Sequence, residues 1–234
     1  MSVFKEHLIM TKPNEMATIL MDMKYVEEAN DEIYIESING IRGYLWVGIL
    51  LIGAGIFIGY PFEVRMLSDG AIILILLPLI PGLFLTAYGL FGNKRHQKII
   101  LDRKNGMITY PDTFFRKPLT GKFKDLKVVF SVTGGDGYSS SEDLKFINTF
   151  RPRFIAGNKT IAYGKPDVTW SFYVWYMDKN RPLPLGDIFD PYRDKDFERR
   201  KAEGFPPPLY PSAIPTPEAT PEQQKERERY WEER

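Results

Sequence analysis

From Ala71 to Phe91 the chain reads AIILILLPLIPGLFLTAYGLF, without one charged side chain. A helix needs about 20 apolar residues to cross a hydrocarbon layer about 30 Å thick, and this run has that length. Most of its side chains are Leu, Ile or Phe, each favouring insertion by roughly 0.3–0.6 kcal/mol near the helix centre. Pro78 and Pro81 would break a helix standing in water. In a bilayer, neighbouring helices and local 3-10 adjustments re-satisfy the freed carbonyls, so a kinked span is expected.

A second uncharged run precedes it, YLWVGILLIGAGIFIGY from Tyr44 to Tyr60. Tyr44 and Trp46 stand at one end and Tyr60 and Phe62 at the other, where amphipathic rings suit the two headgroup zones. This run is short and should stand nearly upright. Only PFEVRMLSDG separates the two, so together they read as a transmembrane helical hairpin rather than two core helices of a soluble domain. Gly48, Gly53, Gly55 and Gly59 stud the first run, and small residues four apart let backbones approach closely. Packing against the second run is the favoured use of these glycines, and a homodimer through Gly55 and Gly59 is the alternative.

Basic residues orient the hairpin. Lys94, Arg95 and Lys98 follow the second run, with Arg103 and Lys104 close behind, and Arg42 precedes the first. The intervening loop carries only Arg65, beside Glu63 and Asp69. The positive-inside rule then puts both termini in the cytoplasm and the loop outside. Lys94, Arg95 and Lys98 are the expected contacts to lipid headgroups, each worth about 1 kcal/mol near an anionic surface. The N-terminal MSVFKEHLIMTKPNEM has no apolar core and no small-residue cleavage pattern, so it does not read as a secretory signal.

The remainder is polar and β-rich. QKIILDRKNGMITYP reads as strand, turn and strand, with Lys104-Asn105-Gly106 at the turn. Leu126–Val132 alternates and is β-branched. RFIAGNKTIAYG reads as a hairpin about Gly157-Asn158, Glu32–Ile38 as a strand, and Val168–Met177, VTWSFYVWYM, as the strongest strand of all. A helix is expected from Asp190 as cap through Pro191 to a stop at Gly204, and another over Glu15–Ala29. The expected fold is thus a membrane-anchored α+β protein: the hairpin plus a small, mostly antiparallel sheet domain, pleckstrin-homology-like in outline, with one or two flanking helices. Its divisions are residues 1–43, spans at 44–60 and 71–91, an external loop at 61–70, a cytoplasmic domain at 92–204, and a Pro-rich tail at 205–234. In that tail Thr220, Pro221 and Gln223 signal a last helix. The helix is polar nearly all round, so it reads as a solvated, fraying end; Tyr230 and Trp231 are its only large apolar residues and the candidate anchors for a protein partner.

The chemistry-bearing residues are few. There is no Cys, which removes disulfides, thiolate nucleophiles and Cys-bound zinc, and only two His, His7 and His96. Formal net charge is +1, so there is no electrostatic footprint for nucleic acid. TGGDG at Thr133–Gly137 lacks the Lys-Ser/Thr of a phosphate loop, and DKD and SED lack calcium-loop spacing. No catalytic, cofactor-binding or metal-binding residue is therefore expected.

Taken together, the hairpin, IILDRKNGMITYP, WSFYVWYM and the closing RRKAEGFPPPLYP resemble a family of bacterial two-span inner-membrane proteins of unknown biochemistry, encoded beside type VI secretion effectors. The resemblance runs from about Asp31 to about Pro217. It implies an inner-membrane location and a role as a cognate immunity protein whose partner is an effector toxin, or as an accessory scaffold or lipid-contacting module for that effector. It carries no active site onto these positions.

Overall fold

Two strands that flank the apolar runs in sequence lie side by side in one sheet. The computed structural model describes residues 2–4, 11–22, 24–38, 41–60, 69–92, 97–112, 116–133, 141–151, 159–163 and 165–233. In chain order its elements are β1 (Ser2–Phe4), α1 (Pro13–Asp22), β2 (Val26–Ala29), β3 (Ile33–Ser37), α2 (Ile41–Gly59), α3 (Asp69–Phe91), β4 (Lys98–Asp102), β5 (Met107–Tyr110), β6 (Leu119–Lys122), β7 (Lys127–Thr133), β8 (Ser141–Ile147), β9 (Lys159–Tyr163), α4 (Pro166–Met177), α5 (Asp190–Ala202) and α6 (Pro221–Glu232). They divide into two units, one of residues 1–37, 99–110 and 119–234, the other of 38–98 and 111–118.

In the larger unit the strands form two sheets, ordered β2-β3-β4-β5-β6 and β1-β7-β8-β9. Leu101 lies opposite Ile108, Thr109 opposite Thr120, and Val129 between Val3 and Lys145, all in antiparallel register. Alternation sets the faces: Ile99 and Leu101 of β4 and Ile108 and Tyr110 of β5 are buried. The β4–β5 turn falls where the sequence predicts it. The Asp102 carboxylate accepts the Asn105 N–H at 2.9 Å and its Nδ2 at 2.8 Å, and Gly106 takes φ +66°, a conformation cheap only without a Cβ. The expected hairpin about Gly157-Asn158 falls outside the described residues, and β9 pairs with β8.

The run Val168–Met177 is not a strand but the body of α4, and every one of its residues is buried. Trp170 stacks on Phe123 at 5.3 Å, Phe172 meets Tyr34 edge-on at 5.1 Å, and Tyr176 stacks on Phe189 at 5.6 Å. A helix surrounded on all sides must be apolar all round. Its sequence then shows no 3.6-residue period, and its aromatic and β-branched content mimics a strand. Pro166 at the first turn is the helix signal that the composition hides.

The helix expected over Glu15–Ala29 ends at Asp22, and its last four residues are β2. The Asn30 side-chain oxygen accepts the N–H groups of Glu32 and Ile33 at 2.8 and 2.7 Å, an Asx turn that reverses the chain into β3. α5 has Phe189 rather than Asp190 at its cap position; the Asp190 carboxylate instead accepts Arg193 Nε at 2.8 Å. Gly204 closes the helix at φ +77°, as its position suggests.

The smaller unit is an antiparallel helical hairpin. A Cβ at Gly82 would come within 2.9 Å of Ile52 N, one at Gly89 within 2.6 Å of Leu45 Cβ, and one at Gly48 within 2.6 Å of Thr86 N. Only hydrogen fits at these crossings. Gly55 and Gly59 face Leu79 and Ile75 of α3, while Gly53 faces open space. α3 runs through Pro78 and Pro81. Its stretch Gly70–Phe91 is long and apolar enough to cross a membrane, and α2 carries a shorter apolar stretch, Gly43–Gly59. Away from their contact the helices leave large apolar side chains uncovered: Leu50, Phe57, Leu77 and Phe91 are 72, 81, 71 and 79% exposed.

Candidate functional site

The C-terminal third builds its own architecture from charge. α5 buries Arg193, Asp196, Phe197 and Arg200, a stripe at i, i+3, i+4 and i+7. Asp196 accepts Arg103 Nη1 at 2.5 Å, Arg200 Nε at 2.9 Å and Arg199 Nη2 at 2.9 Å. Burial alone would raise the Asp196 carboxyl, but the guanidinium groups of Arg103 and Arg200 outweigh it and hold the carboxyl below its ordinary value. Arg200 places its fork on Glu218, with bonds of 2.8 and 2.6 Å, and Arg227 lies 2.9 Å from the same carboxylate. A two-pronged guanidinium–carboxylate pair fixes direction as well as distance.

A second knot straps the Pro-rich segment. Asp178 accepts the N–H groups of Leu209 and Tyr210 at 3.0 and 3.1 Å. Arg181, bonded to Asp178 at 3.1 Å, also donates to the Tyr210 carbonyl at 3.0 Å and to Thr216 Oγ1 at 3.3 Å. α6 follows, capped as expected by Thr220, whose Oγ1 accepts Gln223 N at 3.2 Å. The Gln223 side chain does not complete the capping box; it donates to Asp194 at 2.9 Å. Lys201 pairs with Glu226 at 2.6 Å. The expectation of a solvated, fraying tail is thus corrected: α6 is docked, because the partners it needs stand on α5.

The two predicted anchors separate. Tyr230 is half-buried and meets Phe205 edge-on at 5.3 Å, and Phe205 lies 5.5 Å from Phe197. Trp231 stays 46% exposed. It stands at the rim of a hollow of about 590 Å³, walled by Pro206–Pro208, Ile214 and Arg227. Tyr230 therefore holds the tail to its own fold, and Trp231 is the more exposed of the two. Of the predicted headgroup contacts, Lys98 is a half-buried residue at the start of β4. Lys94 and Arg95 lie outside the described residues, as do His7, His96 and the Gly134–Gly137 loop. Among the described residues no cluster of three or more His, Asp or Glu could hold a metal ion.

A third polar group was not legible in the sequence. Glu36 on β3 is buried, and its carboxylate accepts the hydroxyls of Tyr34, at 3.0 Å, and of Tyr173. Burial pushes the Glu36 carboxyl up, against the pull of both phenols, and pushes both phenols well up too. The Tyr173 donor comes from α4, which the sequence read as a strand, so this meeting could not be foreseen.

No family model, curated protein or solved structure matches this chain. The fold defines an α+β protein with antiparallel sheets, carrying an apolar helical hairpin of which one helix is long and apolar enough to span a membrane.

Proposed function

We propose that this chain is a membrane-anchored, non-enzymatic binding protein whose α2–α3 hairpin crosses a bacterial inner membrane twice. One observation carries the reading. β3 and β4 are neighbours in a single sheet, and Arg103 N–H donates to the Glu32 carbonyl at 2.8 Å across them. A segment that begins and ends on adjacent strands and crosses once through α3 has to cross a second time, and α2, which precedes α3 in the chain, is the helix available for that crossing. At 1.5 Å per residue, the 19 residues of α2 reach about 28 Å, close to the hydrocarbon thickness. The uncovered Leu, Ile and Phe on both helices would form an apolar patch too large for a water-exposed surface, and lipid is the solvent that suits it.

Within that class the partner is a type VI secretion toxin, neutralised by this chain as its cognate immunity protein. The resemblance in the hairpin, IILDRKNGMITYP, WSFYVWYM and RRKAEGFPPPLYP supports this assignment. The loop between the spans is too short to offer the roughly 800 Å² per partner that a specific interface needs, so the contact belongs to the sheet domain. Trp231 and the hollow beside it are its anchor. Co-expression with the neighbouring effector should restore growth, and Trp231→Ala should weaken the rescue without changing protein level. Equal killing with and without the chain would refute the assignment. The alternative is a lipid-contacting or scaffolding module of pleckstrin-homology-like outline accessory to the effector, favoured by Lys94, Arg95 and Lys98 after the second span. It predicts salt-sensitive binding to anionic liposomes and no rescue.

A further inference from the structure

Cations converge at a second hollow, which shares no lining residue with the one beside Trp231. A hollow of about 380 Å³ is lined by Arg103, Lys104, Lys122, Lys124, Lys179 and Tyr210, with no carboxylate in its wall. The whole chain has a formal charge of only +1, so this is a local concentration and not a share of a basic surface. Lys122, Lys124 and Lys179 are exposed and have no ion-pair partner among the described residues; Lys104 has only a loose pairing with Glu32 at 3.4 Å, both side chains largely in solvent. Cations on separate elements repel one another across the hollow, an arrangement that an anion relieves.

Arg103 supplies the second observation. It is 1% exposed. Its Nη atoms are held by Asp196 and by the carbonyls of Asp178 and Arg181, yet its Nε is buried with no acceptor among the described residues. Buried donors without an acceptor are uncommon, and this one belongs to a residue of the hollow's wall. Met177 and Leu209 add an apolar side. Burial, with Asp178 and Asp125 nearby, pushes the Tyr210 hydroxyl up to about 12, so it remains a protonated donor at neutral pH.

We infer that this hollow binds a phosphorylated small molecule, its phosphates held by Lys104, Lys122, Lys124 and Lys179 and its less polar part against Met177 and Leu209. The volume falls in the range of about 300–1,000 Å³ usual for small-ligand sites. A free nucleotide-like polyphosphate and a phospholipid headgroup share this chemistry. The inference does not rest on the toxin reading: the site lies within the larger unit, apart from Trp231 and its hollow.

The test uses the full chain in nanodiscs of phosphatidylcholine, titrated calorimetrically with inorganic tripolyphosphate. Saturable binding is expected, weakened by added salt. It should fall by about tenfold or more in the variant K122Q/K124Q/K179Q, since several charge contacts are removed together. Should the triple variant fail to fold, the three single variants, each at an exposed lysine, must each lower the affinity. Repeating the titration in discs containing phosphatidylglycerol separates the sources: competition seen in the native chain and absent in the variant identifies a headgroup, and unchanged affinity identifies a free ligand. No saturable binding of tripolyphosphate, or binding by the lysine variants as tight as by the native chain, overturns the inference.

Discussion

Glu36 and Asp196 are both buried carboxyls, and they respond to pH in opposite senses. Glu36 has two phenols for company and, among the described residues, no paired cation, so burial raises its pKa. Its favourable contribution is complete below the ordinary Glu value and is lost as pH rises through the raised value in the fold. Glu36→Gln removes that titration, so the melting temperature of the variant relative to the native chain should rise from acid to alkaline pH; a difference independent of pH would contradict the account. Asp196 is held low by Arg103 and Arg200. Its contribution is present above the ordinary Asp value and fades as pH falls through the depressed one. Arg200 is the hinge of this network, 1% exposed between two carboxylates that are equally buried. Arg200→Met should lower stability by about 3–5 kcal/mol, because breaking one side of a buried pair leaves charge uncompensated. Chemical denaturation of the solubilised full chain measures it, and a loss under about 1 kcal/mol, ordinary for an exposed pair, would contradict the buried network.

At the scale of elements, what could be read from the sequence depended on how many faces an element hides. β4 and β5 each hide one face, so Ile99, Leu101, Ile108 and Tyr110 fall on the period-2 positions and were readable. α4 hides all its faces, and no period survives. α5 hides a face of mixed composition: its apolar pattern, Tyr192 and Phe197 alone, is weak, but counting Arg193, Asp196 and Arg200 as interior completes the helical stripe. α6 was legible as a helix from Thr220 and Pro221, but not as a docked one, because its partners Asp194 and Lys201 lie on another element. In the hairpin the glycines were visible, and their division of labour was not. Gly82→Leu should force the two helices apart and lower the melting temperature in detergent, whereas Gly53→Leu, with open space before it, should leave it nearly unchanged. Equal effects at the two positions would mean that the helices do not meet along Gly48, Gly82 and Gly89.

The whole molecule is a sheet-bearing unit whose sequence is interrupted, between two adjacent strands, by an apolar hairpin. Composition and run length made the hairpin evident. The pairing of β3 with β4 across it was not evident, since nothing in the sequence marks strands some sixty residues apart as neighbours, yet the proposed two-span anchor rests on that pairing. The chain has no native Cys, so single cysteines report topology without background. With Ser68→Cys in the loop between the helices and Lys225→Cys on α6, an impermeant maleimide added to intact cells with a permeabilised outer membrane should label position 68 and reach position 225 only after lysis. Labelling of position 225 in intact cells, or protection of position 68 until lysis, would contradict the two-span anchor.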